Sequence, residues 1–209
     1  TMSFRSVKDL NQELSKLESF TNPLIKQEQY ATPSHIAADW LWQIALQSEL
    51  AGKTVLDAGC GPGILGIAAL LLGAKHVYFL DIDRKTLTTC QNNYTKIKEE
   101  YEVGEATFIC ENITLFDQEV DLVIQNPPFG TKEKHADKPF LETAFRSAPL
   151  VYSMHKIVTE AFVAAVAKDN LFTITEVWKY ELPIKAQFSH HQKPVKFIDV
   201  GVFRLTTLD

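Results

Sequence analysis

The sequence predicts an α/β protein with a mostly parallel sheet that carries helices on both faces. Short apolar runs alternate with longer amphipathic segments over most of the 209 residues, and this alternation is typical of strands joined by crossover helices. Seven strands are expected. No helical segment separates the last two, so they should pair at one edge of the sheet with the last strand antiparallel.

Apolar residues at helical spacing, together with cap signals, define the helices. They are expected at residues 6–20, 33–50, 64–72, 84–100, 140–148 and 158–168. Thr32 should cap the second helix, with Pro33 at its first position. The runs that predict strands are 54–57, 76–80, 106–110, 120–124, 150–153, 171–180 and 197–205. We expect a single domain over residues 1–209, in which residues 1–50 form an N-terminal helical extension.

The composition is ordinary for a globular domain, with 45% apolar and 22% charged residues. The net charge of −5 argues against a surface coated with nucleic-acid-binding charge but leaves room for a local basic patch. Cys60, Cys90 and Cys110 are an odd, scattered set that fits neither a disulfide framework nor a zinc site, so no metal is expected. No apolar run reaches the roughly 20 residues of a membrane span. A reducing cytoplasm is the expected compartment.

The segment 125–130, Gln-Asn-Pro-Pro-Phe-Gly, carries the strongest functional signal. Pro127 and Pro128 end the strand before them, because proline lacks an N–H and has a fixed φ. Asn126 is thereby held at a strand end, where its side-chain oxygen and the Pro127 carbonyl can accept both hydrogens of an exocyclic amine. The amine nitrogen then recovers its lone pair for attack. Phe129 offers a flat face on which a base held out of its helix can stack. A purely structural Pro-Pro turn is the alternative.

A glycine-rich turn, residues 57–63 with the sequence Asp-Ala-Gly-Cys-Gly-Pro-Gly, follows the first predicted strand. Glycines let a ligand approach the backbone, and ligands of open α/β sheets bind beyond the carboxyl ends of the strands. The spacing departs from the Gly-x-Gly-x-x-Gly of dinucleotide sites, and Asp57 would repel a pyrophosphate but attract an ammonium group. These features favour S-adenosylmethionine over NAD, with a structural tight turn as the alternative.

Two further strand ends carry polar residues that suit the same cofactor. Asp81, after the second strand, can accept hydrogen bonds from both ribose hydroxyls. Asn112, after the third strand, can reach an adenine ring beside Ile113, unless this contact falls on Glu111. His155 follows the fifth predicted strand and is interpreted as a structural residue, with an RNA phosphate contact as the alternative.

Three features together resemble a class I, Rossmann-like methyltransferase that acts on adenine N6: Asp-x-Gly-x-Gly at 57–61, Asp81, and Asn-Pro-Pro-Phe at 126–129. The narrower resemblance is to the methyltransferase-like-five family and covers nearly the whole chain. It rests on the segments 28–33, 126–131 and 151–156 and on the C-terminal tail. This resemblance implies an enzyme that methylates N6 of one adenosine in small-subunit ribosomal RNA with S-adenosylmethionine.

The resemblance also implies which residues form the site. An N-terminal loop should close over the cofactor. The residues implied at the cofactor are Gln29, Tyr30, Thr32, Asp57, Gly59, Gly61, Pro62, Ile64, Asp81, Asn112 and Ile113. Those implied at the target amine are Asn126, Pro127, Pro128 and Phe129. The family often has Asp where this chain has Asn112, and this departure from the pattern matters for the predicted adenine contact.

Two basic stretches are expected to contact RNA phosphates, with scattered surface charge as the alternative. They supply Lys132, Lys134, Lys185, His190, His191, Lys193 and Lys196. The strand 106–110 should lie at one edge of the sheet and has no internal lysine or proline to discourage pairing. The resemblance implies that a small zinc-binding activator protein, shared by several methyltransferases, adds a strand there, unless the chain itself covers this edge.

Three other functions share part of this pattern. A DNA adenine-N6 methyltransferase would use the same Asn-Pro-Pro-Phe segment but is expected to need a target-recognition domain for which this chain has no room. A protein glutamine methyltransferase would grip an amide in the same way but typically has Tyr in place of Phe129. A non-catalytic binding module would not be expected to keep both Asp81 and Asn126.

Overall fold

The computed structural model describes residues 4–20, 31–129, 134–184 and 196–209. The helices are α1 (Val7–Leu14), α2 (Ser34–Leu46), α3 (Ile64–Leu71), α4 (Arg84–Glu100), α5 (Lys138–Ser147) and α6 (Glu160–Asp169). The strands are β1 (Thr54–Ala58), β2 (His76–Asp81), β3 (Glu105–Cys110), β4 (Leu122–Gln125), β5 (Leu150–Lys156), β6 (Phe172–Ile184) and β7 (Lys196–Thr207). Short 3-10 helices cover Ile113–Leu115 and Ile157–Thr159. No helix in these ranges has the length and apolar character needed to cross a membrane.

All seven strands join one sheet in the order β3-β2-β1-β4-β5-β7-β6. The first five strands pair in parallel, whereas β7 runs antiparallel to both of its neighbours, β5 and β6. The predicted architecture is confirmed, including the antiparallel last strand and the position of β3 at one edge. The pairing of β6 with β7 places this antiparallel pair at the other edge.

The two faces of the sheet are covered by different helices, as the period-2 alternation of side chains along a strand requires. On β4, Leu122 and Ile124 pack into a core with α1 to α4, whereas Val123 between them packs with α5 and α6. The strands therefore read as almost continuous apolar runs, because both of their faces are buried.

Two predicted helix boundaries are wrong. Helix α1 ends at Leu14, because the chain continues with i→i+3 hydrogen bonds from Lys16 and Leu17 instead of α-helical ones. Helix α2 begins at Ser34 with Pro33 at the cap position and no side-chain cap. Thr32 is therefore not the N-cap, and its hydroxyl takes part in another contact described below.

The glycine turn between β1 and α3 is closely packed. Gly63 has φ 93°, a left-handed conformation that side chains disfavour. A Cβ atom placed there would lie 2.4 Å from the Cys90 Sγ and 3.3 Å from the Phe79 ring. Gly52 has a similar φ of 75°, but a Cβ atom there would meet no atom within 4 Å.

These two glycines allow backbone strain to be separated from steric overlap. We expect Gly52→Ala to destabilise the fold by about 1–2 kcal/mol through its left-handed backbone alone. Gly63→Ala should lose about 1–3 kcal/mol more, because the core around Cys90 and Phe79 must shift. Urea unfolding of both variants measures the difference, and equal losses would contradict the close packing at Gly63.

Candidate active site

The candidate site lies along one row at the carboxyl edge of the sheet. Ala58 pairs with Leu80 on one side and with Gln125 on the other, and Gln125 pairs with Ser153. The residues that come next in β1, β2 and β4 are therefore brought side by side. These residues are Gly59, Asp81 and Asn126.

Asp57 anchors the turn to helix α3. Its side chain is 1% exposed, and its Oδ2 accepts a hydrogen bond of 2.9 Å from the Gly66 N–H. Burial raises the pKa of Asp57 to about 8, with a smaller contribution from the nearby Asp81 carboxylate and an opposing one from the Gly66 hydrogen bond. The same residue lines a cavity shared with the glycine turn and Asn126. Asp57 therefore combines an anchoring role with a carboxyl group that can meet a cationic ligand.

Asp81 is held rigidly at the end of β2. Its two oxygens accept 2.9 Å hydrogen bonds, one from the Gly61 N–H and one from the Asp83 N–H. The side chain is buried, and this burial raises its pKa above the ordinary value despite both hydrogen bonds. The carboxylate thus ties the glycine turn to the strand beside it and presents its remaining lone pairs at the same edge.

The predicted adenine contacts follow β3. The Asn112 Oδ1 accepts from the N–H and hydroxyl of Thr114, so this side chain caps the short 3-10 helix. Among the described residues no hydrogen bond occupies its Nδ2, whereas Ile113 is buried and Glu111 is exposed. Ile82, directly after Asp81, is 65% exposed; sequence reasoning gave this solvent-facing apolar side chain no role.

Asn126 has one satisfied group and one unsatisfied group. Its Nδ2 donates to the Thr32 Oγ1 over 3.0 Å. Its Oδ1 is buried and has no hydrogen-bond partner within the described ranges. A buried acceptor without a partner is uncommon in native structures. The arrangement therefore offers a fixed acceptor to a donor that enters the cavity, and an N–H of an exocyclic amine is such a donor.

The three residues after Asn126 are closely packed. Pro127 is buried, Pro128 is half-buried and Phe129 is 7% exposed within the main core. The Lys156 Nζ lies 6.0 Å from the centroid of the Phe129 ring, at the limit of a cation–π contact. Sequence reasoning assigned no role to Lys156, although it ends the strand next to β4.

The segment Glu18–Phe20 covers the glycine turn. Asn93 is fully buried on α4 and exchanges hydrogen bonds with the backbone N–H and C=O of Glu18, and it also donates to the Pro62 carbonyl. A Cβ atom on Gly61 would lie 2.9 Å from the Phe20 ring. The cavity has about 80 Å³, below the roughly 300–1,000 Å³ of typical ligand sites, because this segment narrows it.

The polar residue Asn93 lies on the apolar face of α4, three residues after Cys90 and four before Ile97. That position was a signal that sequence reasoning did not use. Several predicted site residues lie outside the described ranges. They are Gln29, Tyr30, Lys132, Lys185, His190, His191 and Lys193. Lys134 and Lys196 are exposed. No cluster of three or more potential metal ligands occurs among the residues that the structure describes.

Comparisons with known proteins decide the family. The family model for ribosomal protein L11 methyltransferase (PrmA) matches residues 34–127. The rRNA N(6)-adenosine-methyltransferase METTL5 of Danio rerio is 34% identical, with 96% of this chain and 98% of the relative covered. The corresponding protein of Drosophila melanogaster is 32% identical over 97% of each chain. The chain belongs to the METTL5 family.

Solved structures agree with this assignment to the METTL5 family. A crystal structure from Pyrococcus horikoshii, described as a candidate RNA methyltransferase, matches with a TM-score of 0.89 and 35% identity over 99% of this chain and 100% of that one. A Thermoplasma acidophilum structure matches with a TM-score of 0.75 and 25% identity over 96% and 97% of the two chains. The resemblance inferred from sequence is therefore confirmed, and the chain is a Rossmann-like methyltransferase.

The raised pKa of Asp57 predicts a pH dependence of stability. From about pH 4 to about pH 8 the folded chain keeps a proton that the unfolded chain releases, since the carboxyl pKa rises from 3.8 to about 8 on folding. The free energy of unfolding should therefore fall as pH rises through this window. Asp57→Asn should flatten the curve while its side-chain oxygen still accepts from Gly66.

Asp121→Asn is the matched control, since Asp121 accepts from Thr54 at the opposite end of β1 and its pKa is lowered, chiefly by that backbone hydrogen bond. Its removal should leave the slope between pH 4 and 8 in place. Denaturant unfolding at a series of pH values measures both curves. An unchanged slope in Asp57→Asn would show that this carboxyl group is not the source.

Proposed function

We propose that this chain transfers a methyl group from S-adenosylmethionine to the N6 amine of an adenosine in small-subunit ribosomal RNA. The observation that carries the proposal is the buried, unpartnered Oδ1 of Asn126 at the carboxyl end of β4. Relatives of this protein in the METTL5 family are named as rRNA N(6)-adenosine-methyltransferases. We also propose that residues 1–209 act as a single domain and that the enzyme works in the cytoplasm, where Cys60, Cys90 and Cys110 stay free.

The residues at the edge of the sheet fit the cofactor. S-adenosylmethionine, when bound, supplies an electrophilic methyl group. The Asp57 carboxyl group, whose charged form a cation would stabilise, suits the ammonium group, and the Asp81 carboxylate, oriented by Gly61 and Asp83, suits the ribose hydroxyls. Asn112, through an Nδ2 without a partner in the described ranges, and the adjoining Ile113 suit the adenine ring, and the exposed Ile82 follows Asp81 at the neighbouring strand end. Two structures with bound cofactor or its product share the fold at 20% and 17% identity.

Asn126 acts on the target amine. Its Nδ2 is held by Thr32, so its Oδ1 stays in place to accept one amine hydrogen while the Pro127 carbonyl accepts the other. These two contacts favour a pyramidal nitrogen whose lone pair points at the methyl donor. Because they strengthen as the nitrogen acquires positive charge, they lower the barrier more than they improve binding. Phe129 follows Asn126 by three residues, and the Lys156 ammonium group near its ring supports a bound base close to this segment with phosphates near it.

Asn126→Ala tests this role directly. We expect methyl transfer to ribosomal RNA to fall by at least about 10²-fold, as for loss of one oxyanion-hole donor, with little change in S-adenosylmethionine affinity. Asn170→Ala is the control, because Asn170 makes a comparable half-buried hydrogen bond to Val166 at the end of α6. Labelled cofactor should be offered with deproteinised ribosomal RNA, DNA and cell protein separately. Full turnover by Asn126→Ala, or transfer to DNA or protein alone, would refute the proposal.

The edge of β3 supports the proposed activator. Strand β3 lies at one end of the sheet and its sequence Glu-Ala-Thr-Phe-Ile-Cys has no internal lysine or proline. The opposite edge, β6, is protected by Lys179, Pro183 and a bulge between Ile174 and Glu176. A cavity of about 300 Å³ opens between β3 and α4, lined in part by Arg84, Leu87, Phe108 and Ile109. We propose that a small zinc-binding protein adds its own strand along β3.

Ile109→Lys should weaken this complex, because a long charged side chain is placed beside the incoming strand. Glu181→Lys, an exposed position on the β6 edge, is the control and should leave the complex unchanged. Co-purification with the activator and isothermal titration measure both variants. If Ile109→Lys binds the activator as well as the parent chain while remaining folded, the β3 edge is not the interface.

A further inference from the structure

A chain of four buried polar side chains lies beside Asn126. The Gln125 Nε2 is 3.0 Å from the Ser153 Oγ, which is 2.6 Å from the His155 Nε2. The His155 Nδ1 is 2.9 Å from the Asp137 Oδ2. All four residues are buried, and Ser153 is 0% exposed. His155 lies within β5 and not after it as the sequence predicted, and both of its ring nitrogens have polar partners.

In this network of four side chains, the donor and acceptor of each hydrogen bond follow from the Asp137 carboxylate. The Asp137 carboxylate can only accept, so the His155 Nδ1 must carry its proton. The Ser153 Oγ accepts from the Gln125 amide, so its own hydroxyl proton is directed at the His155 Nε2, 2.6 Å away. A carboxylate three hydrogen bonds away thus fixes the orientation of the Gln125 side chain.

This hydrogen-bond network joins Gln125, the last residue of β4, to Asp137, the residue before helix α5. Gln125 immediately precedes the residues Asn126–Phe129, and Asp137 stands where helix α5 begins. The Asp137 side chain does not cap that helix, so its hydrogen bond to His155 has no part in helix capping. Lys156 adds a third contact from β5, over the Phe129 ring. Strand β5 therefore contacts Gln125, Phe129 and Asp137 through three different side chains.

The geometry resembles a Ser-His-Asp catalytic triad but cannot act as one. Ser153 has no exposed surface, and its oxygen already accepts from Gln125 and lies 2.6 Å from the His155 Nε2. A nucleophile needs access to a substrate carbonyl. The His155 ring also lies 6.0 Å from the Phe203 ring, which helps to fix its orientation. The arrangement holds neighbouring groups in place and does not attack a substrate.

We propose that Gln125, Ser153, His155 and Asp137 form one clamp that holds Asn126 and Phe129 in position, and that His155 is the positioning residue of methyl transfer. This inference rests on the proposed function, because the rate effect needs Asn126 to act on the target amine. Small displacements of an oriented group reduce rates strongly. Loss of the clamp should therefore reduce kcat and leave unchanged the cofactor site, whose proposed contacts lie at the ends of β1, β2 and β3.

The test uses the full-length protein, four single variants and one double variant. His155→Ala removes the contact between Ser153 and Asp137, and His155→Gln restores an N–H and an oxygen at this position. Ser153→Ala removes the contact between Gln125 and His155. Ser147→Ala is the matched control, since the Ser147 hydroxyl makes a buried hydrogen bond to the Thr143 carbonyl within α5. Amide hydrogen exchange of Asn126 and Phe129, kcat on ribosomal RNA and S-adenosylmethionine affinity are measured for each.

We expect exchange at Asn126 and Phe129 to accelerate in His155→Ala and Ser153→Ala but not in Ser147→Ala. The kcat of His155→Ala should fall at least about tenfold with unchanged cofactor affinity, and His155→Gln should recover part of the loss. Nitrogen-15 spectra should show the proton of His155 on Nδ1. Adding Asp137→Ala to His155→Ala should cause little further change, because members of one network are not additive.

Unchanged exchange at Asn126 and Phe129 in folded His155→Ala would overturn the clamp, whatever the enzyme methylates. A His155 proton on Nε2 in place of Nδ1 would overturn the assignment of donors and acceptors in the hydrogen-bond network. Failure of the proposed function is distinguishable: the parent chain would then show no transfer to RNA while the exchange and nitrogen-15 results still report on the clamp. Accelerated exchange with unchanged kcat would overturn the role of His155 as a positioning residue.

Discussion

The parallel register of β1, β2 and β4 is the constraint on which the candidate site depends. Ala58 is paired with both Leu80 and Gln125, so the next residue of each strand emerges at the same edge. A shift of one residue in any of these pairings would send side chains to the opposite face. The apolar residues that alternate between two separate cores fix this register. The same packing that stabilises the sheet therefore aligns a glycine turn, a carboxylate and an amide that are far apart in sequence.

The buried carboxyl groups at this edge of the sheet accept hydrogen bonds from backbone N–H groups and so hold the glycine turn in place. Asp57 and Asp81 each accept from glycine-turn or helix N–H groups, yet their pKa values are raised because burial outweighs these hydrogen bonds. Such carboxyl groups favour a cationic or hydrogen-bond-donating ligand, whose arrival would stabilise their charged forms. The fold thus contains a local destabilisation at higher pH that binding relieves, as is common where stability and function compete for the same residues.

The sequence predicted the sheet well because its signals are local. Apolar runs and the turn chemistry of Gly59–Gly63 need no knowledge of tertiary contacts, and the edge position of β3 follows from the crossover pattern. Helix ends were less predictable: Thr32 has the chemistry of an N-cap, but its hydroxyl is taken by Asn126. The bond between Asp137 and His155 joins residues 18 apart and depends on where α5 begins. The lone-histidine signal therefore predicted a structural residue correctly, but not its partners.

Four buried polar atoms lack a hydrogen-bond partner in the described ranges, and two of them belong to neighbouring residues, the Gln125 Oε1 and the Asn126 Oδ1. The others, on Asn11 and Trp40, lie in different helical regions. In the first pair the cause is directional: Gln125 must donate to Ser153, so its oxygen faces away from that network, and Asn126 donates to Thr32, so its oxygen is likewise left over. Unsatisfied acceptors of this kind destabilise a fold by about 1–3 kcal/mol each. Of these two oxygens, the Asn126 Oδ1 is the one that the proposed contact with an incoming amine would satisfy.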